Sequence, residues 1–323
     1  MKKIFAGIMA CFLTIGCVSC AQTPNDGERN SGSSSSALPE ENSSSSSSET
    51  TEITPPEALE MDWRDDGVLK ILTIGNSFSD DSMEYVYQIA KSAGVEEVKL
   101  GNLFIGGCSL ATHAQNARAD AEAYTYHTNN SGTWNTRSSH KMSDAILSEN
   151  WDYISLQQAS GSSGMTRTYG RALKYMVNYV KGLMSANTKL VWNMTWAYQQ
   201  NSTHAEFVNY GRDQMRMYES IVNAVQDQVW AQDDIKAVIP TGTAIQNART
   251  SFIGDALTRD GFHLSLDLGR YIAGLTFVRC LTGLSIDGVE FAPSGVTAEE
   301  KAVAIESANN ATACPYTVTK SIY

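Results

Sequence analysis

The chain has 323 residues, of which 42% are hydrophobic, and this is enough for one large domain or two small ones with a sizeable core. Its 35 aspartates and glutamates outnumber its 24 lysines and arginines and give a formal net charge of −11. An acidic balance of this kind argues against a nucleic-acid partner, because such a partner needs a basic surface.

The first twenty residues have the pattern of a bacterial secretion signal. Two lysines are followed by an apolar run and then by small residues and cysteines. The apolar run is too short to span a membrane comfortably. Small residues precede both Cys17 and Cys20, as at lipoprotein cleavage sites, although neither cysteine has the usual leucine three positions earlier. We predict a lipid on Cys17 or Cys20, with Cys17 favoured because a glycine precedes it, and plain secretion is the alternative.

Residues 21–65 form a segment rich in Ser, Glu, Thr and Pro. Such a composition cannot bury enough apolar surface to order itself, so we predict a disordered linker. A linker behind a lipid anchor would hold a domain away from a membrane. The sequence therefore predicts an extracytoplasmic protein, anchored as a surface lipoprotein or otherwise secreted.

Three cysteines lie beyond the signal, at Cys108, Cys280 and Cys314. Their number is odd and their spacing irregular, which fits neither a disulfide framework nor a zinc site. We expect buried free thiols.

Strands and helices alternate along the rest of the chain. Residues 68–74 form a continuous β-rich run, typical of a strand that is covered on both faces. A helical pattern follows at residues 82–93, and a second strand is predicted within residues 95–105. The polar, aromatic stretch 121–139 is predicted as a loop, and whether it is a lid stays open. Three further strands are predicted at residues 152–156, 189–195 and 235–239, and three further helices at residues 168–186, 207–229 and 268–281.

This alternation predicts an α/β fold with helices on both faces of a parallel sheet. Five strands suit the flavodoxin-like order 2-1-3-4-5. The folded domain is expected to span residues 66–290, with residues 291–323 as a C-terminal extension packed on it. In such sheets, ligand sites form at the carboxyl ends of the strands. The residues that directly follow predicted strands are Ser77, Gly107, Gln158, Trp196 and Gly242.

A serine hydroxyl becomes a good nucleophile only beside a base, and that base usually needs a carboxylate to orient it. Among the five histidines, His263 has an acid at a useful spacing, since Asp260 lies three positions before it. Each feature has a commoner explanation, because Ser77 could cap a helix and the Asp-x-x-His pair could lie on the surface. The combination of Ser77 after the first strand with Asp260 and His263 after the last favours a catalytic site.

Several blocks of the sequence resemble the SGNH, or GDSL-type, serine hydrolase superfamily. The resemblance covers residues 68–283, and within the superfamily it is greatest to a bacterial lipoprotein branch with GNSFS as its first block. The matching blocks are GNSFS after the first strand, GGCSL after the second, RDGFHLS near the end, and WDYISLQQAS, MTWAY and GTAIQNARTS between them.

The resemblance implies a three-layer αβα sandwich and a hydrolytic serine. It makes Ser77 the nucleophile, His263 the base and Asp260 the residue that orients the base. The backbone N–H groups of Ser77 and Gly107, or Gly106 if the register differs, would hold the oxyanion. Asn76 replaces the aspartate of the GDS block and can make similar turn hydrogen bonds.

The third block departs from the superfamily pattern. There the superfamily has an asparagine side chain as a third oxyanion donor, whereas this chain has SLQQASG. Gln157 or Gln158 could donate instead, and we favour Gln158. The alternative is that these amides only satisfy loop backbone.

Two further residues are candidates for lining the cleft. Trp196 could reach it and stack on a sugar ring, although burial in the core is the commoner role of a tryptophan. His113 follows the predicted oxyanion block and could also line the cleft. No metal or other cofactor is expected, because Asp80, Asp81, Asp260 and His263 match no strong ligand motif.

The leading hypothesis is an extracytoplasmic serine esterase that removes O-acetyl groups from polysaccharide or glycan, or that acts on another small ester. An ester of a lipid or of sulfate is a further candidate substrate. The hypothesis from another class is a non-catalytic, glycan-binding surface lipoprotein on the same fold, which the missing third-block asparagine supports.

Overall fold

The computed structural model describes residues 65–323. The predicted signal at residues 1–20, almost all of the predicted linker, and the candidate lipidation sites Cys17 and Cys20 lie outside the described residues. Within residues 65–323, no helix is both long enough and apolar enough to cross a bilayer.

A seven-stranded sheet forms the centre of the described part, in the order β4-β3-β2-β1-β5-β6-β7. The strands β1, β2, β5, β6 and β7 are parallel to one another, and their order is the predicted flavodoxin-like one. The strand bounds are β1 Val68–Gly75, β2 Glu97–Phe104, β3 Tyr124–Asn129, β4 Asn135–His140, β5 Tyr153–Leu156, β6 Lys189–Asn193 and β7 Ile235–Ile239. The α/β class is therefore confirmed, whereas the prediction of five strands is wrong.

The two additional strands come from the stretch that was predicted to be a loop. The strands β3 and β4 form an antiparallel hairpin that pairs with the outer edge of β2. The sequence does not indicate the hairpin, because it contains little apolar pattern. On β3 the buried face carries Tyr124 and Tyr126, and β4 is almost wholly exposed. An edge hairpin needs little apolar sequence, so a polar stretch can form it.

Nine α-helices surround the sheet in the described part, together with short turns of other helix types. Their bounds are α1 Ser77–Met83, α2 Val86–Ser92, α3 Leu110–Ala119, α4 Met142–Leu147, α5 Gly170–Leu183, α6 Gln214–Ala224, α7 Thr241–Ala248, α8 Leu268–Thr282 and α9 Ala298–Ala313. The long helix predicted at residues 207–229 is divided into a 3₁₀ turn at Ala205–Tyr210, the helix α6 and a π turn at Val225–Val229.

The helices form a layer on each face of the sheet. The connection from β1 to β2 and the connection from β5 to β6 run in opposite directions across the sheet. Because both connections are right-handed, α1 and α2 lie on one face and α5 lies on the other. In the first layer, α8 contacts α1, α2, α7 and α9, and in the second, α3, α4 and α5 contact one another. This is the predicted three-layer sandwich. The C-terminal helix α9 begins with a capping box between Thr297 and Glu300 and packs on α7 and α8.

Burial follows from the apolar pattern of each element. Five side chains of β1 are almost wholly buried, because helices cover both faces of this central strand. On α5 the buried residues recur at helical spacing and form one face towards the sheet. Each large aliphatic side chain buried in this way contributes about 1.5–3 kcal/mol. The core therefore fixes the carboxyl ends of the parallel strands, where the polar residues of the candidate site lie.

Candidate active site

Ser77 is the first residue of α1, directly after the end of β1. The helix cap is Asn76, whose Oδ1 accepts a hydrogen bond from the Phe78 N–H at 2.9 Å. Because Asn76 performs this role, the hydroxyl of Ser77 is not used as a cap. The helix predicted at residues 82–93 is found as α2, and the short helix α1, which starts on the nucleophile candidate, was not predicted.

The structure brings Ser77, His263 and Asp260 together. The Oγ of Ser77 lies 2.8 Å from Nε2 of His263, and Nδ1 of His263 lies 2.6 Å from Oδ2 of Asp260. The histidine and aspartate side chains are 20% and 40% exposed, so a ligand can reach this end of the sheet. A serine, an imidazole and a carboxylate in this sequence of contacts can transfer a proton away from the serine hydroxyl.

Asp260 is held in its ionised form. Partial burial acts to raise its pKa, but hydrogen bonds from the His263 ring and from the backbone N–H groups of His263 and Phe262 outweigh this and lower the pKa below its usual value. Those backbone bonds, at 2.8 and 3.2 Å, also fix the orientation of the carboxylate. An ionised carboxylate against Nδ1 leaves Nε2 as the ring nitrogen that can accept a proton.

A short closed loop presents His263. Thr258 and Leu264 form an antiparallel bridge at its base, and the Arg259 N–H donates to the His263 carbonyl oxygen at 2.9 Å. Gly261 lies at the tip with a φ of +90°, in a region that residues with side chains rarely adopt. The RDGFH sequence is thus a tight turn, and this geometry lets residues three positions apart face each other.

A buried carboxylate fixes that loop to the nucleophile helix. Asp81, on α1, is wholly buried and accepts hydrogen bonds of 2.9 Å from each of Arg259, Arg270 and the Leu264 N–H. A buried charge of this kind is tolerated only when it is paired and hydrogen-bonded. Ser77 and His263 are therefore held on two sides of one ionic cluster. The sequence indicates Asp81 only as a candidate metal ligand and does not predict this role.

Trp196 lies beneath the loop rather than in the cleft. Its side chain is fully buried, its ring stacks on Phe78 with centroids 4.2 Å apart, and its indole N–H donates to the Phe262 carbonyl oxygen at 2.8 Å. The prediction that it could stack on a substrate ring is not met, because Phe78 already covers one of its faces. Trp196 instead supports the turn that carries His263.

The candidate oxyanion donors lie on adjacent loops. The Nδ2 group of Asn76 donates to the Cys108 carbonyl oxygen at 3.0 Å, and the Ile105 N–H donates to the Gly75 carbonyl oxygen at 3.3 Å. Gly107 has a φ of +63°, which favours glycine at this turn. Within residues 65–323, no acceptor is hydrogen-bonded to the backbone N–H of Ser77, Gly106 or Gly107. The choice between Gly106 and Gly107 stays a prediction.

Gln158 is occupied on both ends of its amide. Its Oε1 accepts from the N–H groups of Leu110 and Ala159 at 3.0 and 2.9 Å, and its Nε2 donates to the Thr168 hydroxyl at 3.1 Å. In this arrangement the side chain satisfies loop backbone, as in the alternative considered above, and is not placed as a third oxyanion donor. The physical reason is that the start of α3 at Leu110 and the loop from Ala159 to Thr168 both bond to this amide.

Gln157 belongs to a buried row of side chains, which we call the amide row: Asn76, Gln157, Asn193 and Thr241. Gln157 donates to Asn76 Oδ1 at 2.9 Å, Asn193 donates to Gln157 Oε1 at 3.1 Å, and Thr241 donates to Asn193 Oδ1 at 2.8 Å. The row crosses the carboxyl ends of β1, β5, β6 and β7. The signal in the sequence is that each member stands at or just after the end of a strand, but their mutual contacts could not be read from it.

His113 lies on α3, and its side chain is buried against Tyr124 of β3. Its Nδ1 lies 2.9 Å from the Tyr124 hydroxyl, and the two rings are stacked. Burial lowers the pKa of His113 to about 4, so the ring is neutral at ordinary pH. The prediction that His113 lines the cleft is not met, because its ring packs on Tyr124 of β3 and is not exposed.

No group of three or more His, Cys, Asp or Glu side chains in the described part is arranged to hold a metal ion. Cys108 and Cys280 are free thiols, and burial raises the pKa of each to about 12. Neither thiol therefore has the character of a reactive nucleophile.

Comparison with known proteins gives a family and several similar solved structures. Residues 70–311 match the family model described as a domain of unknown function, DUF4886. A crystal structure of a DUF4886 family protein from Bacteroides uniformis is 43% identical, covers 78% of this chain and 98% of its own, and superposes with a TM-score of 0.76. A search of curated proteins finds no match.

Weaker likenesses to solved structures include the following two. A proposed SGNH hydrolase from Slackia heliotrinireducens is 20% identical over 66% of this chain and 99% of its own, with a TM-score of 0.43. An acetylxylan esterase from Geobacillus stearothermophilus is 13% identical over 66% of this chain and 94% of its own, with a TM-score of 0.44. Likenesses at this level are too weak to transfer an activity.

Proposed function

The chain belongs to the DUF4886 family, and we propose that it is a serine hydrolase that cleaves ester bonds. The observation that carries the proposal is the unbroken row of contacts from Ser77 through His263 to Asp260, at 2.8 and 2.6 Å. Nucleophile, base and orienting acid are the three parts that acyl transfer by serine requires. All three are held by elements of the fold rather than by free surface side chains.

The proposed first half-reaction forms an acyl-enzyme. Ser77 Oγ attacks the acyl carbon of the ester while its proton passes to His263 Nε2. The carbonyl oxygen becomes an oxyanion, which accepts hydrogen bonds from the backbone N–H groups of Ser77 and Gly107. The bond to the alcohol oxygen then breaks, and the alcohol leaves with the proton from His263. Each oxyanion donor of this kind typically contributes a factor of about 10² to 10³ to the rate.

The second half-reaction repeats these steps with water. Water attacks the acyl carbon and gives a proton to His263, and the second oxyanion then collapses. The bond between Ser77 Oγ and the acyl group breaks, the carboxylic acid leaves, and Ser77 regains its proton from His263. Throughout, the ionised Asp260 stabilises the imidazolium that forms twice in the cycle.

The proposed substrate is an O-acetylated polysaccharide or glycan outside the cell. The sequence resemblance to SGNH hydrolases, together with the predicted signal and lipidation site, supports this class. A lipid-anchored enzyme would act at the cell surface on material that the cell encounters or makes.

A non-catalytic glycan-binding lipoprotein is the second candidate. The observation in its favour is that Gln158 has both ends of its amide engaged and so supplies no third oxyanion donor. Loss of one such donor lowers the rate but does not remove the nucleophile. We therefore rank this function second.

Acetate release tests the proposal. The purified full-length chain would be given an activated acetyl ester and a panel of acetylated glycans, with Ser77→Ala beside it. We expect wild-type release to exceed that of Ser77→Ala by at least about 10³-fold, since the residual rate comes only from binding and oxyanion donors. Ser220→Ala, a serine that bonds only its own helix, is the matched control and should keep full activity. Equal release by wild type and Ser77→Ala would overturn the proposal.

A further inference from the structure

A small cavity lies between the nucleophile helix α1 and the hairpin that the sequence did not predict. Its volume is about 260 Å³. We call it the hairpin pocket, and its polar and aromatic lining consists of Asp80, Glu84, Asn102, His127, Trp134 and Arg270. Ligand pockets for drug-sized molecules usually begin near 300 Å³, so this one suits a single ring.

Two lining residues of the hairpin pocket connect it to the candidate active site. On one wall, Asp80 lies three residues after Ser77 on α1, a spacing that places both on the same side of the helix. On the other wall, the His127 ring meets Phe104 edge-on, with centroids 5.8 Å apart. The Phe104 ring in turn lies beside Gly106, so that a Cβ there would be 3.9 Å from it. The Phe104 ring thus separates the pocket from the oxyanion loop, and α1 connects the pocket to the nucleophile.

The lining offers hydrogen bonds in both directions. Asn102 donates to Asp80 at 2.5 Å, and His127 Nδ1 lies 2.9 Å from the Thr136 hydroxyl. The other ring nitrogen of His127 stands 4.0 Å from Asp80, beyond hydrogen-bond distance, so a hydroxyl group between them could contact both. The Asn102 amide is fully engaged by Asp80, Thr73 and Ser79. The carboxyl of Asp80 and the imidazole of His127 are therefore the groups that match the hydroxyls of a sugar ring.

One face of the pocket is aromatic. Trp134 lies in the turn of the hairpin, and its indole N–H donates to the Glu84 carbonyl oxygen at 3.4 Å. That bond holds the tryptophan against the pocket with its ring only partly buried. An indole of this kind provides an apolar surface for the C–H face of a sugar.

The charges of the lining favour an uncharged ligand. Glu84 is paired with Arg270 at 3.3 Å, and Arg270 is also bonded to the buried Asp81. Burial, and then the neighbouring Asp81, raise the pKa of Asp80 to about 7, while burial lowers the pKa of His127. Asp80 is therefore only partly ionised at neutral pH, and the remaining charges of the lining are paired, which favours a neutral ligand over a strong anion or cation.

We propose that the hairpin pocket is a binding subsite for one neutral sugar ring of an oligosaccharide whose acetylated neighbour occupies the site at Ser77. The subsite extends the proposed function, and only the position of the acetylated ring at Ser77 rests on that function. The residues that bind the ring are Asp80, His127 and Trp134. The hairpin β3–β4 is thus a specificity element added to the edge of the sheet.

Equilibrium binding tests the subsite without relying on turnover. Ser77→Ala in the full chain would be titrated calorimetrically with unacetylated xylotetraose and cellotetraose, and then compared with the double variants that add Trp134→Ala or His127→Ala. We expect at least one oligosaccharide to bind and each addition to weaken its binding by about tenfold, as truncation of a buried contact residue typically does. His140→Ala is the matched control, because His140 stacks on Tyr126 across the same hairpin and should leave binding unchanged.

The outcomes separate the subsite from the esterase. Thermal melting of each variant checks that it is folded. Binding that Trp134→Ala and His127→Ala do not change, or no binding of either oligosaccharide, would overturn the subsite whether or not the wild type releases acetate. Binding that depends on both residues would support the subsite even if acetate release failed, and would then favour the glycan-binding candidate over the esterase.

Discussion

Three neighbouring carboxyl groups illustrate how residues of one type acquire different roles in this site. Asp260 accepts hydrogen bonds from the His263 ring and from two backbone N–H groups, which hold it ionised. Asp81 is wholly buried between two guanidinium groups and a backbone N–H. Asp80, the residue next to Asp81, accepts a hydrogen bond from the amide of Asn102, and its pKa is raised to about 7. The environment and not the residue type decides which of them carries charge.

The raised pKa of Asp80 predicts a pH-dependent stability effect. Its folded-state pKa of about 7 lies above its unfolded value, so ionising it costs stability. This cost is absent below about pH 4 and is fully present above pH 7. The titratable groups that face Asp80 are Asp81 on α1, Glu84 at the end of α1, Arg270 on α8 and His127 on β3. We expect Asp80→Asn to raise the melting temperature relative to wild type more at pH 8 than at pH 4.

The check is a series of thermal melts at both pH values, with Asp234→Asn as a control. Asp234 pairs with Lys181 on the surface, at the opposite end of the sheet near the start of β7. A difference between Asp80→Asn and wild type that is the same at pH 4 and pH 8 would show that Asp80 does not titrate near neutrality.

At the scale of elements, the loops after the strands form one connected unit. The amide row links the ends of four parallel strands, and the Asp81 cluster links α1, α8 and the loop that carries His263. Buried amides that are fully hydrogen-bonded hold a unique geometry, because leaving either end unpaired is costly. The nucleophile is therefore positioned by buried side chains that bond to one another and to the loops around it.

Substitution of Gln157, an inner member of the amide row, should distinguish positioning of the nucleophile from binding of the substrate. Gln157→Leu keeps similar volume but leaves Asn193 and Asn76 each without one partner. We expect a loss of about 1–3 kcal/mol in the free energy of unfolding and a fall in kcat on the activated ester of about tenfold, with little change in KM. The measurements are denaturant unfolding and steady-state kinetics.

Gln246→Leu is the matched control for this prediction. Gln246 is a buried glutamine on α7 that bonds Gln214 and Arg249 rather than the site. It should lose stability but keep kcat. A Gln157→Leu variant that loses stability with unchanged kcat would reduce the amide row to a purely structural feature.

At the scale of the whole molecule, the sequence predicted the parallel sheet, its strand order and the meeting of Ser77, Asp260 and His263. These follow from strong signals, namely apolar runs at strand spacing and motif blocks in a fixed order. It could not predict the β3–β4 hairpin, because one covered face and polar residues such as His127 give no clear alternation. Without the hairpin, the pocket beside α1 could not be foreseen.

The residues that were misplaced share a physical cause. Trp196, His113 and Gln158 all follow strand ends or the oxyanion block, which makes them candidates for a cleft. Each is instead turned inward by a partner on another element or loop: Phe262 for Trp196, Tyr124 for His113 and Thr168 for Gln158. Position after a strand predicts proximity to the site, but tertiary partners decide which way a side chain faces.

The central claim is that Ser77 is a nucleophile activated by His263. The most direct test is to treat the full chain with a fluorophosphonate and to measure its intact mass, with Ser77→Ala and heat-denatured protein beside it. The account predicts one covalent adduct on the native wild type, located on the peptide that contains Ser77, and none on Ser77→Ala or on the denatured chain. An adduct that persists in Ser77→Ala, or a native wild type that does not react, would contradict it.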